Sequence, residues 1–390
     1  MAIKVLRMIS RLNIGGPARN AVLLTEGLQP DKYKSVLICG EVSENEGNMM
    51  YLAQEKGIDP VIVPELGREV SFKNDWKSFW KIYKIICAEK PDIIHTHTSK
   101  VGLLGRFGGI LYNITHFGLR KNRCKIFHTM HGHIFNGYFD KTSTWFFLWV
   151  EKIISFFTDV NITVSESLRR ELVEKFRLAP AKRVVVVELG FELDGLLNLT
   201  AREVSPCINI GIVGRLVPVK NHKMLFRVIE RLRTANPGLQ TKFFVIGEGE
   251  LKKELEEYAR ELSIDGIVEF RGWVKNLSEI YKDLDIVVLT SVNEGTPVSI
   301  IEAMATAKPV VATKVGGVLD IVEDKKNGYL IDSSDEQDYT DKLLELIKDS
   351  EKRKRFGKHG RESVKNRFSK ERLIKDIDKL YNKALSKGDS

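Results

Sequence analysis

The 390 residues carry 61 Lys and Arg against 52 Asp and Glu, a net charge of +9, in a composition that is otherwise ordinary for a globular chain. That length exceeds what one growing core accommodates and predicts two domains. The charge suits anionic partners, phosphate-bearing ligands or an acidic membrane surface, whereas no Lys/Arg block interleaved with aromatics and no recognisable nucleic-acid module occurs, so no nucleic acid is expected.

Residues 1–10 are too short and too charged for a signal peptide and read as a buried first strand. Cys39, Cys87, Cys124 and Cys207 are scattered with no Cys-x-x-Cys pair and read as reduced core residues, which predicts a cytoplasmic chain. The first strand leads through Asn13-Ile-Gly15-Gly16-Pro into an amphipathic helix over residues 18–28. That glycine pair lets the backbone approach a bound group closely, but it is not the Gly-x-Gly-x-x-Gly fingerprint, which argues against a nicotinamide-dependent dehydrogenase. Strand and helix signals alternate onward through 35–39, 49–56, 59–63, 75–89 and 92–95, the pattern of a doubly wound parallel sheet. After His95-Thr-His97 comes a helix start bearing Lys100 and Arg106.

From Ile93 to Phe139 there is no Asp or Glu, and six of the eight histidines fall in this stretch. Within it a strand ending near Phe127 precedes the run His128-Thr-Met-His131-Gly-His133. His131 and His133 stand two apart with no carboxylate or cysteine nearby, so zinc is not expected. Residues 144–157 form the most apolar window. They are too short to span a bilayer and read as a core helix feeding a strand at 160–164, in preference to a membrane-contacting helix. Ser165-Glu166-Ser167 caps the next helix. Together with Arg120, Lys121 and Arg123, the cationic stretch and this aromatic run predict an affinity for an anionic membrane surface.

Residues 189–206 read as the linker, giving domains over 1–200 and 206–368 and a basic amphipathic terminal helix over 369–390 that packs back on the first domain. A second sheet opens at residues 208–214. Beyond Gly214, Arg215 and Lys220 project from a proline-containing loop, a guanidinium and an ammonium suited to phosphate. A strand over 242–246 ends in Gly247-Glu-Gly249, and another near 267–272 ends at Trp273 and Val274. Asp283-Leu-Asp285 falls between a helix end and a buried strand, so it reads as structural and no metal is predicted. The apolar run 285–290 enters Ser291-Val-Asn-Glu294-Gly295-Thr296-Pro297-Val298, with Thr296 expected as N-cap and Pro297 as the first helical residue. Glu302 lies one turn beyond Val298 and Ser299 on the same face. Two carboxylates thus flank a helix N-terminus on the sheet edge where such folds bind ligands and where free amides suit phosphate. Gly316-Gly317 opens a further helix.

The spacing Glu294-Gly-x6-Glu302-Ala-Met-Ala, with Lys308-Pro-Val-Val-Ala-Thr behind it and Arg215-x4-Lys220, the His131-Gly loop and Gly15-Gly16 ahead of it, resembles the retaining sugar-nucleotide glycosyltransferases of family 4. Their fold is GT-B, two Rossmann-like domains facing a central cleft. The resemblance implies that Arg215 and Lys220 hold the nucleotide diphosphate, that Glu302 accepts ribose hydroxyls, and that Glu294 with Gly295, Thr296, Pro297 and Val298 holds the donor sugar. Gly15, Gly16 and Gly214 would lie by the donor, Trp273 and Val274 beside the base, and Gly316 and Gly317 against the nucleotide. His131 would touch the donor sugar across the cleft, with His97, Lys100 and Arg106 on the acceptor side. The activity implied is hexosyl transfer, without metal or other cofactor, from a UDP-linked hexose or N-acetylhexosamine to a carbohydrate or lipid-linked acceptor in cell-surface polysaccharide or glycolipid synthesis. A lipid-linked acceptor would place the protein at the inner face of the cell membrane. The alternative is a catalytically idle sugar-nucleotide-binding scaffold on the same fold. Thr296-Pro297 stands where many relatives have Phe-Gly or Phe-Pro, which leaves the donor sugar open.

Overall fold

The computed structural model describes residues 2–42, 47–67, 71–118, 123–132, 141–200 and 205–386, the side chains of 141–144 and 146 excepted. Two compact units emerge, Met1–Phe191 with Lys370–Ser390, and Glu192–Ser369. The first boundary falls earlier than the sequence pattern placed it. Residues 192–200 belong to the second unit, where the short helix Asp194–Leu197 packs on two neighbouring helices and Leu193 and Leu196 are buried.

In the N-terminal unit seven strands, β1 (Ile3–Arg11), β2 (Tyr33–Gly40), β3 (Val61–Ile62), β4 (Ile93–His97), β5 (Lys125–Met130), β6 (Val160–Thr163) and β7 (Val184–Val186), form one parallel sheet in the order β3-β2-β1-β4-β5-β6-β7. The intervening helices are α1 (Gly16–Gly27), α2 (Met50–Glu55), α3 (Phe72–Glu89), α4 (Ser99–Thr115), α5 (Lys141–Phe157) and α6 (Glu166–Arg170). Right-handed crossovers put α3, α4 and α5 on one face, while α1 and the terminal helix Lys370–Ser386 cover the other. The strand period of two sorts the side chains accordingly. Leu6, Met8 and Ile94 join the core under α3 and α4, whereas Val5, Ile93 and Phe127 pack with Leu24 of α1, Leu28 just past its end, and Leu373, Ile377 and Tyr381 of the terminal helix. Arg7 and His95 fall on this second face. Lys32 fastens the terminal helix through Asp378 at 2.6 Å, and Lys370 pairs with Glu26 at 2.7 Å.

The C-terminal unit repeats the plan with six parallel strands, β8 (Ile208–Val213), β9 (Thr241–Ile246), β10 (Val268–Gly272), β11 (Ile286–Leu289), β12 (Val310–Thr313) and β13 (Gly328–Ile331), ordered β10-β9-β8-β11-β12-β13. Its helices are α7 (Asp194–Leu197), α8 (His222–Ala235), α9 (Lys252–Glu261), α10 (Leu277–Tyr281), α11 (Val298–Ala305), α12 (Glu336–Lys348) and α13 (Ser350–Lys365). Strand order reverses between β8 and β11, and the crevice outside the carboxyl ends of strands at such a reversal is the ligand position of open α/β sheets. At the opposite edge the Asp285 carboxylate accepts the Asn209 amide N–H at 2.8 Å, and Asn209 Nδ2 donates to Asp283 C=O at 2.8 Å. These bonds tie the starts of β8 and β11 together.

Candidate functional site

In the C-terminal unit the loops leaving β8, β9, β10, β11 and β12 gather at one sheet edge. After Gly214 the chain makes a 3-10 turn at Pro218–Lys220, and Asn221, in the left-handed region at φ 49°, reverses it into α8. Lys220 Nζ stands 2.5 Å from Glu294 Oε1, and the Ser291 hydroxyl donates to the same oxygen at 2.6 Å. Thr290 Oγ1 donates to the Lys220 carbonyl at 3.0 Å and the Val292 N–H to the Val219 carbonyl at 2.9 Å, so the two loops are locked in register. An ammonium has three donors, and Glu294 takes one. Arg215, directly after Gly214, is exposed.

Close backbone approach fixes the rest of the loop cluster. The Gly317 N–H donates to the Glu294 carbonyl at 3.0 Å, and a Cβ on Gly317 would stand 1.6 Å from the Gly295 carbonyl oxygen, so only glycine fits beside Gly316. Likewise a Cβ on Gly247 would meet the Gly214 oxygen at 2.0 Å. The Gly247 N–H donates to Gly272 C=O at 2.8 Å, which sets Trp273, 38% exposed, and Val274 next to the β9 turn.

Helix α11 begins one residue later than expected. Pro297, at φ −74° and ψ 96°, is its N-cap and Val298 its first residue, because the Pro297 carbonyl already accepts from Ile300 at 3.1 Å and Ile301 at 3.4 Å. Thr296 therefore precedes the cap. The amides of Val298 and Ser299 lie ahead of the first intrahelical bond, a helix end whose geometry suits an anion. Glu302 is 4% exposed and accepts the Tyr281 hydroxyl at Oε2, 2.8 Å. Among the described residues no group of three or more His, Cys, Asp or Glu could hold a metal ion.

The N-terminal unit collects histidines at the carboxyl ends of β4 and β5. Rings of His95 and His97 stack at 4.4 Å, and His97 Nδ1 lies 3.0 Å from His131 Nε2. Behind them Arg7 Nη1 reaches His95 Nδ1 at 3.0 Å and His97 Nε2 at 3.4 Å. Burial pushes His131 down to about 3, and burial with the neighbouring Arg7 charge holds His95 well below the usual histidine range. Thr98, next after His97, sits at φ 66°, a strained region for a β-branched residue, held there by a 2.7 Å bond between its hydroxyl and that of Ser10. Gly15 and Gly16 form the N-cap and first residue of α1. Strand β5 runs on to Met130, past the predicted end at Phe127. His128 is thus a strand residue, 1% exposed, and it is accommodated because Thr96 Oγ1 stands 2.9 Å from its Nδ1. His133 lies outside the described residues.

Residues 14–194 match the model of Glycosyltransferase Family 4 and residues 208–363 that of Glycosyl transferases group 1. Together the two matches run nearly the length of the chain. It belongs to the family 4 glycosyltransferases. Similar proteins include the Escherichia coli UDP-Gal:alpha-D-GlcNAc-diphosphoundecaprenol alpha-1,3-galactosyltransferase, 27% identical over 82% of this chain and 81% of that one. The Staphylococcus aureus capsular polysaccharide biosynthesis glycosyltransferase CapM is 26% identical over 84% and 86%. In fold the transferase matches the crystal structure of Anabaena HepE in complex with UDP and glucose, with a TM-score of 0.80 over 98% of this chain and 100% of that one at 19% identity.

Two positions expected on the transferase's acceptor side are otherwise engaged. Arg106 is fully buried, its Nη2 donating to Glu151 Oε2 at 2.7 Å and its Nε to Gly102 C=O at 2.7 Å. It therefore joins α4 to α5 and presents no charge at a surface. Lys100 pairs with Asp75 at 2.5 Å and donates to Gly67 C=O at 3.1 Å, joining α4 to α3. Sequence reasoning missed Arg7 and also His222, which is 2% exposed at the head of α8 with neither ring nitrogen bonded among the described residues. Burial, then the nearby Lys220 charge, pushes His222 down to about 4. Its place two residues after Lys220 was the available signal.

Proposed function

We propose that the protein moves a hexose or N-acetylhexosamine, with retained anomeric configuration, from a UDP-linked donor to a lipid-linked or carbohydrate acceptor in cell-surface polysaccharide or glycolipid synthesis. The observation that carries this reading is the Lys220–Glu294 pair, 2.5 Å apart and held by two loops beside the open amides of α11. Lys220, with Arg215 on the same loop, neutralises the diphosphate as the bond from the anomeric carbon to the phosphate oxygen breaks, an electrostatic stabilisation at preorganised groups. The acceptor hydroxyl attacks from the face the phosphate leaves, and its proton passes to the departing phosphate oxygen. Glu302 accepts ribose hydroxyls, Glu294 and the amides after it hold sugar hydroxyls, and His131 gives an N–H to a sugar oxygen. The likeness to an E. coli enzyme named for UDP-Gal and a diphosphoundecaprenol-linked acceptor supports a UDP donor and a lipid-linked acceptor.

The same acceptor class accords with the exposed apolar residues of the N-terminal unit. Phe72, Trp76 and Trp80 line α3, and Trp145, Trp149, Ile153 and Phe156 line α5, all exposed, with Lys73, Lys77 and Lys84 exposed beside the first stripe. Aromatic rings flanked by lysines suit the interface of an anionic bilayer, which supports a working position at the inner face of the cell membrane. No helix among the described residues is long and apolar enough to cross it. The test is release of UDP from a panel of UDP-hexoses and UDP-N-acetylhexosamines, with and without EDTA. Turnover of one donor that persists in EDTA is expected, since two fixed cations serve the leaving group. Binding without any turnover would indicate a scaffold, and activity restored only by a divalent ion would overturn the metal-free chemistry.

A further inference from the structure

Arg7 is fully buried and makes no ion pair among the described residues. The groups that meet its donors are neutral: His95 Nδ1 at 3.0 Å, His97 Nε2 at 3.4 Å, the Leu24 carbonyl at 3.4 Å and the Tyr381 hydroxyl. An interior charge left without a counter-ion is costly, so the groups around it must be arranged to receive its donors. A guanidinium can only donate, which decides where the protons of the surrounding imidazoles sit.

His95 Nδ1 faces the Arg7 guanidinium at 3.0 Å and the Tyr381 hydroxyl at 2.6 Å; accepting there from the guanidinium, the neutral ring carries its proton on Nε2, and that N–H reaches Thr129 Oγ1 at 2.7 Å. His97 accepts at Nε2, so its proton is on Nδ1, directed at His131 Nε2 at 3.0 Å. His131 then accepts at Nε2, and its own proton is left on Nδ1. That Nδ1 is buried and has no partner among the described residues. Burial and the Arg7 charge both oppose protonation of His97, so the chain is one of neutral rings beginning at a cation. Each bond in such a chain polarises the next.

We propose that Arg7 is a positioning residue for glycosyl transfer: through His97 it fixes the proton of His131 on Nδ1, so that the ring His131 brings to the sugar nucleotide is neutral and held in one tautomer. That His131 meets the sugar nucleotide rests on the transfer reading given above, whereas the placement of the protons does not. No proton is transferred, and the chain sets a direction before substrate arrives.

The experiment is multiple-bond 1H–15N NMR of the full chain labelled at histidine, with His131→Gln and His97→Gln used for assignment. Wild type should show His131 protonated at Nδ1 and bare at Nε2. Arg7→Met should lose this fixed pattern and lower kcat about tenfold to a hundredfold, with a smaller change in KM for the sugar nucleotide, and Arg7→Lys should restore the pattern. Wild-type His131 protonated at Nε2 overturns the inference, with no variant needed. So does an Arg7→Met protein that keeps both pattern and kcat. Failure of the transfer reading looks different, because the wild type would then turn over no sugar nucleotide whatever its tautomers.

Discussion

Glu302 and Arg7 mark the two ends of what single residues disclose. The Tyr281 hydroxyl, bonded to Glu302 Oε2 at 2.8 Å, fixes the carboxylate of a side chain only 4% exposed, so the ribose hydrogen bonds proposed for it would need little reordering. Glu302→Gln should weaken binding of the nucleoside diphosphate by about 1.5–3 kcal/mol per charged bond lost, read by calorimetry. Wild-type affinity would remove Glu302 from the nucleotide site. The Glu294 and Glu302 spacing was legible because a buried strand and a proline-marked helix start fix where both carboxylates stand. Arg7 was not. In a strand a charged residue between apolar ones ordinarily reads as the solvent side of a half-buried sheet, and here that side is covered by Tyr381, contributed by a helix at the far end of the chain. Which face of a strand is wet depends on such distant elements.

Among elements, strands were easier to read than the surroundings of helices. A run such as 286–289, short, rich in β-branched residues and apolar on both faces, reads as a strand buried on both sides. The window 144–157 is apolar enough to suggest a core helix, yet α5 buries Ile154 and Ser155 and leaves Trp145 at 67%, Trp149 at 55% and Phe156 at 60% exposure. Its contact with α4 is secured by Glu151 and Arg106, a pair that composition could not connect. Exposed apolar stripes of this size mark interaction surfaces. Co-sedimentation with anionic vesicles is therefore expected at low salt, weakening as salt screens the lysines of α3, and Trp76→Glu with Trp149→Glu should abolish it. Equal sedimentation of that double variant, or no binding of wild type at either salt concentration, would contradict a role for this face. Arg120 and Lys121, which the sequence also pointed to, lie outside the described residues.

For the whole molecule, the buried histidines link folding to pH. His95, His97 and His128 are held well below the ordinary value, His131 at about 3 and His222 at about 4, chiefly by burial. An unfolded chain takes up these protons near pH 6.5 and the folded chain does not. Between those values the unfolded state binds more protons, so stability is full above about pH 6.5 and declines as pH falls toward 4. Each unit of separation contributes about 1.4 kcal/mol. Carboxylates such as Glu345, held down to about 2 by Lys352 and then Tyr329, add their own loss only below the ordinary carboxylate range. Thermal midpoints should accordingly drop between pH 7.5 and pH 5, and an unchanged midpoint would mean that the histidines titrate normally. The proposed transfer from a UDP-linked sugar depends most directly on Lys220. Steady-state UDP release by wild type and by Lys220→Ala, with the donor found in the panel, should differ about a hundredfold in kcat while both proteins unfold at similar temperatures. Equal turnover by a folded Lys220→Ala protein would contradict it.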